Sequence, residues 1–150
     1  MSSPQSAHSG DTARRKKTTN KFMITAIDTS VLMTIARQGE RWERWAKALT
    51  KAANEGPLVV CCVVFGEFSQ GYRKPEMALQ HLHSLHIHYD PIQPLTAQMA
   101  YRDFMRSRKE PHMLPYHLIG AHASFQADRL AVDSMGDPRQ FFPMVDMLFC

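Results

Sequence analysis

Two acidic side chains in this 150-residue chain stand where carboxylates could work together. Asp28 directly follows the short apolar run 23–27, and Glu67 comes shortly after the apolar run 58–63. Clustered carboxylates repel one another, so they are stable together when a cation lies between them. Mg²⁺ and Mn²⁺ prefer oxygen ligands, and such an ion can activate a water molecule for attack on a phosphodiester. The acids therefore suggest metal-assisted hydrolysis, with Asp28 as a direct ligand.

The elements that must position these acids can be inferred from the apolar pattern. The runs "MITAI" (23–27) and "LVVCCV" (58–63) are typical of strands buried on both faces of a parallel sheet. Shorter strands are predicted in "HIHYDPI", "LAV" and, at an edge, "MVDMLF", and helical patterns separate them. The alternation predicts a three-layer α/β/α sandwich with a mostly parallel central sheet. Because ligands bind at the carboxyl ends of such strands, we expect Asp28 and Glu67 to meet at one edge.

The spacing of these residues also has a purely structural interpretation. Asp28 could simply cap the helix that follows it, and Glu67 could be a solvated helix residue. Ser30 could hydrogen-bond either a carboxylate or a bound water molecule. The spacing alone leaves these alternatives open.

Charge and cysteine content limit the possible environments of the chain. The formal net charge of +4 comes from residues 1–22, because the basic and acidic side chains of residues 23–150 balance. We expect 1–22 to be a disordered basic tail and 23–150 to be one domain, with Met1 and Met23 both open as start sites. Asp28 interrupts the apolar stretch that follows "RRKK", so the uncharged apolar region of an export signal is missing, and no apolar segment is long enough to span a membrane. The adjacent Cys61 and Cys62 indicate reduced thiols, so we expect a cytoplasmic protein.

Four stretches carry a family resemblance: "AIDTSVL", "ERWERWAKAL", "EGPLVVCCVVFGEF" and "LPYHLIGAHASFQADRL…FFP". Together they resemble a PIN domain, and in particular the VapC-type toxin ribonucleases of toxin–antitoxin pairs. The resemblance runs from about Met23 to Leu148. It implies a Mg²⁺-dependent endoribonuclease fold that acts on RNA, is often a homodimer, and is held inactive by a small antitoxin.

The family's acidic positions are only partly retained here. Asp28 matches the first acid and Glu67 the second, whereas Tyr116 stands where the third is expected. Ser134 occupies the register of the fourth, with Asp133 one position early. The resemblance thus implies Asp28, Glu67 and Asp133 as the catalytic set, with Asp28 and Glu67 as metal ligands.

The missing acid has a chemical consequence. The tyrosine hydroxyl ionises near pH 10, so Tyr116 cannot replace an anionic ligand at neutral pH. We therefore expect Mg²⁺ or Mn²⁺ to bind weakly and catalysis to be impaired. The alternative is a non-catalytic PIN-fold module that binds an antitoxin-like partner or RNA.

Histidines and arginines elsewhere in the chain admit two interpretations each. His86 and His88 could hold a transition metal on one strand face, or could be exposed polar residues. His122 is expected to be a packed core residue. The basic residues of 101–110 could contact RNA phosphates, or could form a solvated helix face.

Overall fold

A computed structural model describes residues 22–107, 113–133, 142 and 145–150. Its strands are β1 (Thr25–Ile27), β2 (Leu58–Val60), β3 (Ile87–Tyr89), β4 (Arg129–Ala131) and β5 (Met147–Leu148). They form one sheet in the order β3-β2-β1-β4-β5, and every neighbouring pair is parallel. The central position of β1 places its carboxyl end between those of β2 and β4. The predicted fold class is confirmed, and β5 is the predicted edge strand.

The helices of the described residues are α1 (Thr29–Ala36), α2 (Trp42–Glu55), α3 (Cys62–Ser69), α4 (Pro75–Ser84), α5 (Pro94–Ser107) and α6 (Leu114–Gln126). Helix α2 contacts β2, α6 contacts β1 and β4, and α5 packs mainly against α6. Helix α1 begins directly after β1 and contacts both α2 and α3. The start of α1 is therefore the meeting point of the strand that carries Asp28 and the helix that carries Glu67.

Apolar burial explains why the three central strands lie inside. Every residue of β1 and β2 is buried, as are Leu130 and Ala131 of β4. Fully burying a side chain the size of valine or leucine stabilises a fold by about 1.5–3 kcal/mol. The interior of the sheet is therefore a rigid base for the polar residues that follow each strand.

The second strand is shorter than the apolar run 58–63 predicts. It ends at Val60, and Cys62 already begins α3. A continuous apolar run fits a buried strand and a buried helix equally well. Here the helical period decides the outcome, because Val64 and Phe68 bury one face of α3 while Cys62 is exposed.

The pattern of "YHLIGAHASFQADRL" predicts a helix over 116–130, but the helix ends earlier, at Gln126. The backbone N–H of Asp128 donates to the carbonyl of Ile24 at 2.9 Å, and the Ile24 N–H donates to Asp128 Oδ2 at 2.8 Å. These two bonds tie the chain to the start of β1, so a helix cannot continue through Asp128.

The apolar pattern of 95–110 predicts an amphipathic helix with Leu95, Met99, Phe104 and Met105 on one side, and this prediction is partly wrong. Leu95 and Met105 are 68% and 56% exposed, whereas Thr96 and Ala100 are buried. Helix α5 packs mainly against α6, and the buried residues Thr96 and Ala100 are smaller than the exposed Leu95 and Met105.

Several predictions fall outside the described residues, namely the basic tail through residue 21, Arg108, Lys109 and most of "PRQFFP", a segment whose pattern predicts a turn of helix. Within the described ranges, no helix combines the length and apolar character that crossing a bilayer requires.

Candidate functional site

Asp28 lies at the carboxyl end of the central strand and caps α1. Its Oδ2 accepts hydrogen bonds from the Ser30 backbone N–H at 3.0 Å and from Ser30 Oγ at 2.6 Å. Its own N–H donates to the carbonyl of Ala131 at 2.9 Å, which joins β1 to β4 beyond their last paired residues. Asp28 is therefore a helix cap, as one interpretation of the sequence predicts. It also lies at the edge where ligands bind in parallel sheets.

Glu67 reaches the residue next to Asp28. Its Oε1 accepts a hydrogen bond from Thr29 Oγ1 at 2.8 Å, across 38 positions of sequence. Glu67 is exposed, and its carboxylate lies over the first turn of α1. The structure therefore brings the first two predicted acids to the same edge of the sheet.

Asp133 joins the same group from β4. Its backbone N–H donates to Ser30 Oγ at 2.9 Å, and Thr34 Oγ1 lies 2.5 Å from its Oδ2. Thr34 Oγ1 is also 2.9 Å from the Ser30 carbonyl, but the carboxylate is the stronger acceptor for its single proton. The third acid is thus fastened to α1 by two contacts.

Ser30 links the two aspartates. Its hydroxyl donates to Asp28 and accepts from the backbone of Asp133, so the predicted carboxylate contact of Ser30 is present. Both capacities of the hydroxyl are used inside the chain.

Tyr116, which stands at a degraded acidic position, lies in the first turn of α6. Its side chain is 38% exposed, and its ring centroid is 6.2 Å from that of Phe142. Ser134, the other degraded position, lies outside the described residues.

A hard divalent ion requires several oxygen ligands around one point. Among the residues that the structure describes, no group of three histidine, cysteine, aspartate or glutamate side chains is placed to hold a metal ion. The three acids instead accept hydrogen bonds from hydroxyls of one helix, namely Ser30, Thr29 and Thr34. This arrangement does not fit a three-ligand metal cage, and weak binding of Mg²⁺ or Mn²⁺ at Asp28 and Glu67 stays a prediction.

One charged partner of the acids was missed by the sequence reasoning. Arg41 NH1 lies 3.4 Å from Asp133 Oδ1, as an ion pair between the start of α2 and the end of β4. The four-residue spacing of Ser30 and Thr34 could have signalled a polar helix face. Nothing in the local pattern signals Arg41, because its reach depends on the turn between α1 and α2.

A second buried polar group lies at the end of β3. His122 is 1% exposed, and its Nε2 is 2.8 Å from Asp90 Oδ2. Gln126 Nε2 donates to the same carboxylate oxygen at 3.1 Å. Burial lowers the pKa of His122, and the hydrogen bond and charge of Asp90 oppose this lowering without cancelling it. The prediction that His122 is a core residue is confirmed.

A cavity of about 210 Å³ lies between α5 and α6. Its walls combine apolar side chains such as Met99 and Phe142 with Arg102 and Arg106. Asp103, in the same wall, is paired with His117 at 3.0 Å. The basic residues of α5, which could contact RNA phosphates or form a solvated face, thus border a partly apolar cavity.

Comparison with known proteins identifies the architecture. No family model matches the chain, and no curated protein matches it in sequence. Among solved structures, a chain from the crystal structure of VapBC2 from Rickettsia felis, bound to a DNA fragment from their promoter, superposes with a TM-score of 0.62. The match covers 85% of this chain and 98% of that chain at 13% sequence identity. At this identity the likeness is one of fold, and it supports a PIN-like, VapC-like architecture.

Proposed function

We propose that this chain is a PIN-like domain of the VapC type in which metal-dependent RNA cleavage is impaired. The observation that carries the proposal is that Asp28, Glu67 and Asp133 gather at one sheet edge, yet one oxygen of each carboxylate already accepts a hydrogen bond from a hydroxyl of α1. The gathering is the pattern expected of a nuclease site. The internal hydrogen bonds, and the ion pair of Asp133, reduce what these oxygens offer to a cation.

The residue type at position 116, where the family resemblance implies an acid, supports the same proposal. A phenol at a ligand position removes one negative charge from the cage that a divalent ion requires. Small displacements of a reacting group, of about 1 Å, already reduce rates about 100-fold. A site with one acid missing and another ion-paired is therefore expected to cleave RNA slowly.

The test is an RNA cleavage assay with Mg²⁺ or Mn²⁺. It compares the unaltered chain with a variant carrying Tyr116→Asp and Ser134→Asp, which restores both degraded positions. We expect the restored variant to cleave at least about 100-fold faster, because the missing charge returns to the site. Adding Asp28→Asn to the restored variant should abolish the gain while keeping a helix-capping side chain. Efficient cleavage by the unaltered chain that is lost in its own Asp28→Asn variant would contradict the proposal.

A non-catalytic binding module is the second candidate, and a specific observation favours it. Leu95, Tyr101 and Met105 of α5 are 68%, 56% and 56% exposed, which is unusual for large apolar side chains on one helix. The VapBC2 neighbour was solved as an assembly on promoter DNA, which supports a search for a small antitoxin-like protein partner. RNA is the other ligand to test.

Binding can be measured without cleavage. Fluorescence anisotropy of labelled RNA, and light scattering after co-expression with an antitoxin-like protein from a neighbouring reading frame, would report the two partners separately. Saturable binding of either one by the Asp28→Asn variant supports the module. Failure of both, in a chain that is folded by circular dichroism, rules it out.

A further inference from the structure

Arg41 is held beside the acids by the turn between α1 and α2. Gln38 in this turn has a φ of 50°, in the left-handed region that non-glycine residues rarely adopt. The Gly39 N–H donates to the carbonyl of Thr34 at 2.9 Å, and the Trp42 N–H donates to the carbonyl of Gly39 at 3.0 Å. The backbone itself therefore returns the chain to the end of α1 and places Arg41 at the start of α2.

The Arg41 guanidinium lies beside the Asp133 carboxylate oxygen that accepts no hydrogen bond from the described residues. Thr34 serves Oδ2 of Asp133, whereas the buried Oδ1 receives no hydrogen bond from the described residues. Arg41 NH1 lies 3.4 Å from this Oδ1, and the two side chains are 34% and 12% exposed. The charge of Asp133 is thus balanced by a cation that the chain supplies.

Asp133 is also close to Asp28, because both contact Ser30. Ser30 Oγ connects the Asp28 carboxylate to the backbone of Asp133, so both aspartates lie around one hydroxyl. A divalent ion bound between them would approach a guanidinium that stays charged at any ordinary pH. Like charges only a few ångströms apart repel strongly enough to change the affinity for the ion by an order of magnitude.

We propose that Arg41 is a built-in counter-ion of this acidic site, which takes the place of a divalent cation at Asp133 and lowers the affinity of the site for Mn²⁺ and Mg²⁺. The inference rests on the proposed function, since it concerns the same acids. Besides having a tyrosine at position 116 where an acid is expected, the site then contains its own positive charge.

The test is calorimetric titration with Mn²⁺ of the unaltered chain, Arg41→Gln and Arg44→Gln. Arg44 is the matched control, because it is an exposed arginine in the first turn of the same helix. Both arginines also influence the Cys150 thiol, so both belong to one charged neighbourhood. We expect Arg41→Gln to bind Mn²⁺ about tenfold more tightly and Arg44→Gln to change affinity by less than about twofold.

Two further measurements test the role of Arg41. Adding Asp133→Asn to Arg41→Gln should remove the gain, because the released carboxylate is what attracts the ion. Partly exposed ion pairs contribute little to stability, so thermal unfolding should show that Arg41→Gln is folded. No gain in Arg41→Gln, or equal gains in the two arginine variants, would overturn the role of Arg41.

The outcome is independent of the RNA cleavage assay. Efficient cleavage by the unaltered chain would reject the proposed impairment, whereas the titration would still report whether Arg41 competes with the ion. A gain of Mn²⁺ affinity without any gain in cleavage would support Arg41 as counter-ion and leave Tyr116 and Ser134 as the cause of the slow chemistry.

Discussion

Hydroxyl side chains determine how the acids of this site behave. Ser30, Thr29 and Thr34 lie within six positions of α1, and each donates to a different carboxylate. Hydrogen bonds to a charged acceptor are roughly twice as strong as neutral ones, so they hold the acids in place without a metal ion. The contacts that assemble the site thus also occupy one oxygen of each acid.

The sequence predicted part of this site for a clear reason. Asp28 and Glu67 follow strands that bury apolar runs, and parallel strands bring their carboxyl ends to one edge. The pairing of Arg41 with Asp133 could not be predicted in this way, since it depends on the left-handed residue Gln38 and on the length of the turn. Contacts made through irregular backbone have no periodic signature.

Protonation of His122 gives a testable pH dependence. Burial lowers the pKa of His122 in the folded chain below the usual value of 6.5. As the pH falls through about 6.5, the unfolded chain therefore takes up a proton that the folded chain does not bind, and stability decreases. The loss approaches about 1.4 kcal/mol per pH unit for one proton.

Urea unfolding between about pH 7.5 and pH 5.5 measures this effect. The unaltered chain should lose more stability across the range than His122→Gln, which keeps a donor for Asp90 but does not titrate. Parallel curves for the two proteins would show that His122 is not the group responsible.

Element boundaries in this fold depend on the packing of the backbone. The strand predicted over 58–63 ends at Val60 because α3 buries Val64 and Phe68, and the sixth helix ends where Asp128 binds the start of β1. Apolar runs predict burial correctly and leave the type of element undecided. Tertiary contacts supply the missing information.

Two glycines provide a matched test of the element packing. A Cβ added at Gly56 would lie 2.5 Å from the carbonyl oxygen of Met23, which is backbone leading into β1. A Cβ at Gly66, inside α3, would meet nothing within 4 Å. Gly56→Ala should destabilise the chain by about 1–3 kcal/mol through overpacking. Gly66→Ala should stabilise it by up to about 1 kcal/mol, because alanine favours helix.

Chemical denaturation of the two glycine variants checks both signs at once. A Gly56→Ala variant as stable as the unaltered chain would mean that Gly56 and the Met23 backbone are packed less closely than described. A destabilised Gly66→Ala variant would indicate an unrecognised constraint next to Glu67.

The overall fold was predicted from the sequence more accurately than its individual elements. Alternating strands and helices predicted a parallel α/β/α arrangement, and the observed order β3-β2-β1-β4-β5 has that form. The exposed face of α5 was not predicted, since its large apolar residues suggest a buried stripe while the structure buries Thr96 and Ala100 instead. A helix that exposes such residues is a reason to look for a partner.

We expect the negative charge at this sheet edge to be largely compensated within the chain. Titration of the unaltered protein with Mn²⁺ measures this compensation. We expect no saturation below about 1 mM, because the acids already have internal donors and Arg41 supplies a positive charge. Stoichiometric binding of Mn²⁺ in the micromolar range that disappears in the Asp28→Asn variant would contradict this expectation.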